Sequence, residues 1–594
     1  MLTTERINCD LCVVGGGIAG MLAAISAARE GAKVVLMHER PVLGGNASSE
    51  IRMWVCGAAG EYNRETGILE EIALENYRRN PTKNYHIWDT VLYEFVRREE
   101  NITLLLNCTC MDATCEEGSF AHGRERRITA VKGYQMTTQR FYEVEAKFFC
   151  DSSGDSILAP LCGANFRLGR EAAAEFGEES TTVEADDMTM GMSCLIQGRE
   201  TEKPVAFTAP AWTRFLSEEE VKYRRPNMQS TAENFWYLEL GGDRDTIGDT
   251  EKLRDELVPL ALGMWDFVKN SGQYYAENWE LDFLGFLPGK RESRRMCGEY
   301  MITQRDISDG RVFPDEVAYG GWPLDDHYPG GFYHRGRANT NIATPAPYSI
   351  PYRALYSENV DNLFFAGRNI SMTHTAMSSI RVMATCGLLG EAVGRAAAIA
   401  AREGVSPHDV YLSHMDELQE SLLRGDCFLP SRRRPVGKTC LDATLSGGED
   451  RLRNGEDRPH RIYGTDRDAA TCFVPAGSEI GYSFPETRVM RVHLTFDSDL
   501  ERETLPGSDC ERKHSTRANV ALDAPVMHVP DTLCRAFRLE GERAGERRTI
   551  LETAENCRRA WDIPVDACFD RLVLTPLSTW GGGESVPLIS FDFE

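Results

Sequence analysis

The feature that most constrains this chain is a glycine turn between a predicted strand and a predicted helix near its N-terminus. Residues 11–14 are an apolar run, and residues 21–29 are rich in alanine with helical spacing. A second apolar run, residues 33–37, completes a strand–helix–strand unit. Between the first strand and the helix stand three glycines in the pattern G-x-G-x-x-G, Gly15, Gly17 and Gly20.

These glycines have distinct physical roles in a dinucleotide site. Gly15 permits a tight turn, Gly17 lets the backbone approach a pyrophosphate, and Gly20 lets the helix pack against the strand. The helix N-terminus, at Ile18 and Ala19, then faces the anion. The sequence therefore predicts that a dinucleotide binds at this turn.

An acidic residue follows the second strand. Glu39 lies 19 residues after Gly20 and is followed by Arg40. A carboxylate at this point can bind both hydroxyls of a ribose, and it disfavours a 2′-phosphate. We therefore expect an unphosphorylated adenosine half, bound by Glu39 with Arg40 beside it.

A second glycine loop distinguishes two dinucleotides, NAD and FAD. Gly44, Gly45, Asn46 and Ser48 begin only five residues after Glu39. A flavin ring held deep in a protein needs such a backbone-exposing loop, whereas the basic NAD-binding unit does not. The sequence thus favours FAD.

Four long motifs show a family resemblance over roughly residues 8–400. They are GGNASSEIRMWVCGA (44–58), LPGKRESRRMCGEYMITQRDI (287–307), YSIPYRAL (348–355) and NLFFAGRNISMTHTAMSSIRVMATCGLLGEAVG (362–394). With the glycine turn they resemble the bacterial FAD-dependent oxidoreductase family of the glutathione-reductase superfamily. The chain is more distantly similar to fumarate-reductase-type flavoproteins and to flavin-dependent tRNA modifiers. The resemblance implies bound FAD and leaves the substrate open.

The resemblance also implies roles for individual residues. Gly15, Gly17 and Gly20 would hold the pyrophosphate, Glu39 the ribose, and the loop from Gly44 to Ser48 the ribityl and ring side. The further residues implied for FAD are Cys110 near adenine, Asp151, Gly154 and Asp155 in a second turn, and Gly367 and Arg368 after a late strand. In the second turn Ser152-Ser153 replaces the family's usual Ala-Thr, which puts side-chain contacts there in doubt. A helix starting near Ser379 would aim its N-terminus at the flavin.

Candidate catalytic residues come from two motifs. His374 lies between the late strand and the flavin-facing helix and could take a substrate proton, or it could only position the ring. Arg381 follows in the same motif. Arg291 and Arg294 stand in GKRESRR, beside a Pro-Gly turn. These arginines form either an anion clamp or ordinary surface ion pairs.

Several other residues that could carry chemistry are explained more simply by packing or loop structure. Cys56 follows the flavin loop and is predicted to be a packing thiol. Aromatic residues are predicted core residues that would suit a sugar or aromatic ring if several lined one pocket, namely Trp54, Trp236, Tyr237, Trp279 and Trp322. His327 and His334, with Asp325 and Asp326, lack the spacing of a metal site, and we predict no metal.

The predicted fold class is α/β, with a Rossmann-like FAD-binding domain of the glutathione-reductase type, an inserted α+β substrate domain and a C-terminal all-β, sandwich-like domain. Strands are expected at 102–106, 128–134, 141–149 and 363–366, and helices near 250–269 and 380–401. Near the C-terminus Met490, Val492, Leu494 and Phe496 alternate with polar residues. The predicted segments are 1–160 and 351–424 for FAD, 161–350 for substrate, a linker 425–437, and 438–594 for the β domain.

Composition limits the partners. The formal net charge is −25, which argues against nucleic acid and anionic membranes as main partners. The 18 cysteines are scattered, and no signal peptide or spanning segment is visible, so we expect a cytoplasmic protein. A homo-oligomer stays open.

The sequence supports three functions. The first is hydride transfer between flavin N5 and a small polar substrate, with a hydroxyl-bearing carbon of a carbohydrate or glycoside as the suggested target. The second is reduction of an activated C=C bond, as in fumarate-reductase-like proteins, with an arginine as proton donor. The third is a binding or assembly protein in which FAD is structural.

Overall fold

The strand predicted at residues 11–14 is the end of a longer strand, Thr3–Val14, in the computed structural model of the protein. The structure describes residues 3–228, 230, 233–502, 504–507 and 519–594. Internal contacts divide the chain into two units. The described parts of the first are 3–59, 82–415 and 519–526, and those of the second are 60–81, 416–502, 504–507 and 527–594. The finer sequence-predicted boundaries stay a prediction, because the contacts separate only these two units.

A parallel sheet forms the core of the first unit. Its strands run in the order Ile102–Leu105, Val34–Met37, Thr3–Val14, Arg140–Asp151 and Leu363–Phe365. The first half of Arg140–Asp151 also pairs with the antiparallel strand Arg126–Gln135, which in turn pairs with Cys108–Glu117. These bounds agree with the strands predicted from apolar runs to within a few residues.

The parallel register brings the strand ends to one edge. Val14 lies opposite both Met37 and Asp151, and Asp151 lies opposite Phe365. Because each chain segment leaves the sheet at its carboxyl end, the loops that follow these four residues meet in one place. In open parallel sheets this edge is where ligands bind.

Two helices cover the sheet. Ile18–Arg29 packs closely on Met383–Glu403, and almost every residue of both is buried. Among the described helices, Met383–Glu403 alone has the length and apolar composition to cross a membrane, and 94% of its most apolar window is buried inside the protein. That burial is typical of a core helix.

The helix predicted over 380–401 is broken in the structure. A short helix, His374–Ile380, ends at Arg381, and the long helix begins at Met383 after Val382, which has extended backbone angles. The predicted start near Ser379 is therefore wrong for the long helix. The apolar periodicity runs through the break, so the pattern gave no sign of it.

The rest of the first unit consists of short strands and helices. The helix predicted at 250–269 is Thr250–Asn270, whose inner face packs in a large apolar cluster around Trp265. Strand pairs are Ile196–Glu200 with Trp279–Leu284, Phe166–Arg167 with Arg295–Met296, Glu316–Gly320 with Tyr348–Pro351, and Met192–Ser193 with both Glu239–Leu240 and Gly289–Lys290. The remaining helices are Tyr85–Arg97, Leu158–Cys162, Ala173–Phe176, Glu218–Val221, Gln304–Ser308 and Pro407–Ser413.

The second unit contains a seven-stranded antiparallel sheet. Its main order is Cys472–Pro475, Ser585–Phe593, Ile480–Phe496, Ala560–Thr579, Cys534–Arg543 and Glu546–Thr553, and Thr444–Ser446 pairs with Ile480–Phe496. The two longest strands carry register shifts, which bend them. The helices are Ile68–Arg79, Met415–Arg424, Lys438–Asp442 and Arg467–Ala470, of which Met415 belongs to the first unit.

The predicted alternation in this sheet holds only in part. Val492, Leu494 and Phe496 are fully buried, whereas Met490 is 46% exposed. The register shift at Val489–Arg491 lies beside Met490 and interrupts the alternation there. His493 and Thr495 are also buried and are hydrogen-bonded to each other, so both faces of this strand are covered.

The contact between the two covering helices generates a prediction. A Cβ added at Gly390 would overlap the carbonyl oxygen of Ala19. Alanine raises helix propensity by about 1 kcal/mol over glycine, but backbone overlap dominates, so we expect Gly390→Ala to lower the free energy of unfolding by about 2 kcal/mol. Urea denaturation measures it. Arg402→Ala, at the exposed end of the same helix, should change it by less than about 0.5 kcal/mol, and equal effects would contradict the close packing.

Candidate functional site

The loops that follow the parallel strands line a cavity of about 490 Å³. The glycine turn at Gly15 contributes one wall, and the turn at Ser152–Gly154 contributes another. Gly367 and Arg368 line it after the late strand. The sheet edge thus brings together segments more than 300 residues apart in sequence.

The glycine turn has the geometry that its sequence predicts. Gly15 has a φ of +108°, and its amide donates to the carbonyl of Met37 at 2.8 Å. A Cβ at Gly20 would overlap the carbonyl oxygen of Gly15, so helix and turn are in close contact. Only glycine fits either position.

The first helix presents an uncapped N-terminus to the cavity. Its N-cap is Gly17, which provides no side-chain cap, and no acidic residue stands in the first turn. Ile18 and Ala19 line the cavity, and Gly17 pairs with Gly44 of the second glycine loop. Free amides at the positive end of a helix dipole bind anions. The backbone here therefore fits a pyrophosphate.

Glu39 and Arg40 lie on the cavity wall next to His38. His38 is locked, because its Nδ1 accepts from the Gly16 amide at 3.0 Å and its Nε2 lies 3.0 Å from the Val42 carbonyl. The Glu39 side chain is 44% exposed and lies 3.4 Å from Nε of Arg40. The carboxylate is thus accessible to a ligand hydroxyl.

The two aspartates of the second turn have different positions. Asp151 is fully buried, and its carboxylate accepts from the amides of Ser153 and Leu158 at 3.0 and 2.8 Å. The Asp151 carboxylate therefore stabilises the turn. Asp151 is not among the described residues that line the cavity. The Ser153 hydroxyl also donates to the Asp151 carboxylate at 2.7 Å. Ser153, which stands where the family usually has threonine, thus helps to hold the turn.

Asp155 instead joins a cluster of charges behind the wall. Its carboxylate binds Lys290 at 2.7 Å, Arg368 at 2.8 Å and the Ser293 hydroxyl at 2.7 Å. Burial favours the neutral acid, but the charges of Arg368 and Lys290 hold the pKa of Asp155 well below its usual range. Asp155 therefore orients Lys290 and Arg368, which line the cavity.

The remaining predicted cofactor residues divide in the same way. Gly44, Gly45 and Asn46 line the cavity, and Asn46 is oriented by its bond to the Lys290 carbonyl at 3.0 Å. Ser48 is buried and donates to the Gly45 carbonyl at 2.8 Å, so it holds the loop. Cys110 is buried in a strand and does not figure among the described wall residues. Its predicted place near adenine, through main-chain groups, stays a prediction.

His374 is buried between two carboxylates. Its Nδ1 lies 2.8 Å from Glu292 and its Nε2 lies 3.0 Å from Asp326. Burial alone would lower its pKa, but the charges of Glu292 and Asp326 raise the pKa of His374 to about 10. Both ring nitrogens are occupied, and the side chain is not one of the described residues facing the cavity. His374 is thus enclosed by two carboxylates, and its acid/base role stays a prediction from the sequence.

His327 lies on the cavity wall, as His38 does. Its Nδ1 lies 2.6 Å from the buried carboxylate of Glu239, and its Nε2 lies 3.7 Å from Asp325, too far for a direct hydrogen bond. In the tautomer that donates from Nδ1 to Glu239, Nε2 would carry the lone pair. Sequence reasoning considered His327 only as a metal ligand, since its carboxylate partner is 88 residues away.

Two of the three predicted arginines line the cavity. Arg291 donates to the Ser193 hydroxyl at 3.0 Å and to the Trp236 carbonyl at 2.9 Å, and Arg381 donates to the Asp325 carbonyl at 2.9 Å. Arg294 contacts the Asp155 carbonyl at 3.3 Å and is not among the described residues on the wall, so its catalytic place stays a prediction.

Three tryptophans line the same cavity, Trp54, Trp236 and Trp322. Trp279 and Tyr237 are not among the described residues that line this cavity, and both pack against the apolar cluster around Trp265. Cys56 is buried against Trp54 and Val382 in a small apolar cluster. Among the described residues, no group of three or more His, Cys, Asp or Glu side chains could hold a metal ion.

The charge on His374 gives a pH prediction. The folded chain binds its proton more tightly than the unfolded chain, whose histidine has the ordinary value of 6.5. Its contribution to stability is therefore complete below pH 6.5 and is lost as pH rises towards about 10. We expect the free energy of unfolding to fall over this range, and His374→Gln to remove about one proton from that dependence. Urea denaturation between about pH 6 and 9.5 measures the free energy of unfolding. The control variant His86→Gln changes an exposed histidine and should leave the pH dependence unchanged. Parallel pH dependences for the unmodified protein and both variants would contradict the assignment.

Comparison with known proteins gives two short sequence matches, a structural alignment and a family match. The chain is 60% identical over 38 residues to fumarate reductase (cytochrome) of Shewanella frigidimarina, covering 6% of this chain and 7% of that one. It is 34% identical over 107 residues to 4-oxocyclohex-2-ene-1-carboxylate 5-dehydrogenase of Sinomonas cyclohexanicum, covering 16% of this chain and 18% of that one. The matches thus span less than a fifth of either relative.

A solved structure, a geranylgeranyl bacteriochlorophyll reductase-like protein from Thermoplasma acidophilum, aligns with 12% identity over 71% of this chain and 85% of that chain, at a TM-score of 0.31. The long match is to the family model described as FAD dependent oxidoreductase, which covers residues 10–422. This span includes the glycine turn, both later turns and the cavity wall. The chain therefore belongs to the FAD-dependent oxidoreductase family, and FAD is its cofactor.

Proposed function

We propose that FAD lies in the cavity with its pyrophosphate at the uncapped helix N-terminus. Ile18 and Ala19 would offer amides to the pyrophosphate, and Gly17 has room for its close approach, since a Cβ there would meet only Gly45, at 3.9 Å. Glu39 would bind the adenosine ribose through its accessible carboxylate. The proposed fit depends on backbone without side chains at the glycines, because side chains there would fill the space that the pyrophosphate needs.

The opposite end of the cavity would hold the rest of the cofactor. Arg368 and Lys290, oriented by Asp155, would contact the ribityl side, and Gly45 and Asn46 would lie along the ring side. Val382 and Met383 also line this wall, where the long helix begins without a side-chain cap. A helix N-terminus there would stabilise negative charge on a reduced flavin.

The function that the geometry supports best is oxidation of a hydroxyl-bearing carbon. The observation that carries it is the His327–Glu239 pair on the wall of the same cavity as the glycine turn. Bound FAD supplies the acceptor for a hydride. His327 Nε2 would take the hydroxyl proton as the hydride leaves, and the Glu239 carboxylate would stabilise the resulting imidazolium and hold the ring in place.

Two arginines would orient the substrate. Arg291 lies 3.5 Å from the same Glu239 carboxylate that holds His327, and Arg381 lies 3.2 Å from Asp325. Each arginine is fixed by hydrogen bonds to protein oxygens, so little entropy is lost when it binds substrate oxygen atoms. Their charges would also stabilise negative charge that develops on the substrate oxygen.

The aromatic wall favours a ring-shaped substrate. Trp54, Trp236 and Trp322 present large flat surfaces beside charged hydrogen-bonding groups. Ring faces that carry C–H groups pack on tryptophan while hydroxyls bond to arginine and histidine. A carbohydrate ring or glycoside matches both halves of this wall, and we propose it as the substrate class.

One observation favours a second candidate, reduction of an activated C=C bond. Nε of Arg381 is buried without a hydrogen-bond partner among the described residues, so an arginine N–H is available near the cavity. In this reaction a reduced flavin would donate a hydride to one carbon of the double bond, and Arg381 would donate a proton to the other. The two candidates therefore differ in the direction of hydride transfer, from substrate to flavin or from reduced flavin to substrate. A purely structural FAD would be neither reduced nor reoxidised by either substrate class.

Glu39 gives a test of cofactor placement. Because a carboxylate hydrogen bond to ribose contributes about 1.5 kcal/mol or more, we expect Glu39→Ala to weaken FAD binding by at least about tenfold. FAD titration of the apoprotein, followed by absorbance near ~450 nm, measures the dissociation constant. Glu50→Gln is the matched control, since its carboxylate lies 4.0 Å from the same Arg40 but is not on the described wall; equal retention by both would contradict the ribose assignment.

His327 gives a test of the chemistry. Anaerobic bleaching of the FAD-loaded protein by sugars and glycosides should identify a reductant, and His327→Gln should keep FAD while slowing bleaching by about 100-fold. His334→Gln is the control, because His334 stacks on Tyr328 and is not on the described wall. A rate unchanged by His327→Gln would remove it from the mechanism. Reoxidation of dithionite-reduced protein by fumarate, without bleaching by any sugar, would favour the second candidate instead.

A further inference from the structure

A second pocket, of about 300 Å³, adjoins the cavity. The two share three wall residues, Trp236, Asn339 and Asn341. Asn339 is anchored by its hydrogen bond to Asp325 of the cavity cluster. A ligand long enough to pass these residues would therefore contact both pockets.

The second pocket has a positive lining. Arg224, Arg225 and Arg337 line it, and no Asp or Glu occurs among the described lining residues. Arg225 is paired outside the pocket with Glu218 at 2.6 Å. Arg337 is exposed at the rim. The cavity, by contrast, includes Glu39 and Asp325 in its wall.

Arg224 carries a buried charge that the protein compensates with carbonyl groups. The residue is 2% exposed, and its guanidinium donates at 2.7–3.0 Å to the carbonyls of Tyr223, Gly331, His334 and Gly336. Its Nε is buried and has no hydrogen-bond partner within the described chain. Burial lowers the pKa of Arg224, whereas an anion would favour its charged form. The Glu239 carboxylate also favours the charged form, and carbonyl groups occupy the terminal nitrogens, so the Nε–H is the Arg224 donor left for an anion.

Aromatic rings continue from the cavity into this pocket. The Trp236 ring lies 5.2 Å from the His327 ring and 5.8 Å from the Tyr237 ring. Tyr223, which is 43% exposed, also lines the pocket. The pocket thus combines ring surfaces with cations, which suits a ring that bears an acidic group.

We propose that the second pocket binds a carboxylate-bearing ring of the same ligand whose other ring enters the cavity, so that the substrate is an acidic glycoside of at least two rings. The inference rests on the proposed function for the identity of the reacting ring. Binding of the acidic ring depends only on the second pocket. Arg337 at the rim and Arg224 inside would contact the carboxylate.

The test compares 4-nitrophenyl β-D-glucuronide with 4-nitrophenyl β-D-glucoside, which lacks the carboxylate. Equilibrium dialysis against the FAD-loaded full chain at low salt should show the glucuronide bound about fivefold more tightly. Arg337→Ala should reduce this preference to below about twofold. Arg335→Ala should retain it, because Arg335 is equally exposed on the same loop but is not on the described pocket wall.

The preference should also shrink at 0.5 M NaCl, since exposed charge interactions are screened. Equal binding of the two ligands, no measurable binding of either, or equal effects of the two arginine variants would overturn the inference. Preferred binding of the glucuronide without flavin bleaching by any glycoside would uphold this pocket and count against the proposed function. Bleaching by neutral glycosides without a preference for the acid would overturn the pocket alone.

Discussion

The register of the parallel strands is the constraint on which the rest of the first unit depends. Val14, Met37, Asp151 and Phe365 lie side by side, so four loops from distant parts of the chain start at one edge. A shift of one residue would reverse the direction of every side chain on the shifted strand. Asp151 then fixes the turn after its strand through two backbone amides. The cofactor cavity is a consequence of this alignment.

The backbone part of the site could be predicted from sequence because local rules determine it. Gly15 is required by its positive φ, and Gly20 by its close contact with the Gly15 carbonyl five residues earlier. The strands were predictable for a similar reason, since apolar runs identify buried parallel strands without knowledge of their partners. The family motifs extended this knowledge to Gly367 and Arg368.

The side-chain chemistry was harder to predict, because it depends on distant partners. His327 and His374 are both buried histidines beside carboxylates, yet His327 pairs with Glu239 and faces the cavity, while His374 is enclosed by Glu292 and Asp326. No local pattern distinguishes them. Ser48 and Asp155 show the same limit, since both stand in predicted cofactor motifs but their side chains hold neighbouring groups in place. Helix periodicity likewise gave no indication of the break at Arg381 and Val382.

That break has a consequence for how far substrate and cofactor can move apart. Arg381 ends one helix and Met383 begins the next, so two peptide bonds separate a substrate-side cation from the ring-side helix N-terminus. Side chains held only by packing can drift when a neighbour changes, but a covalent spacing of two residues cannot lengthen. Under the proposed function, the backbone of the substrate-side cation therefore stays close to the ring-side helix N-terminus whatever residues form the aromatic wall.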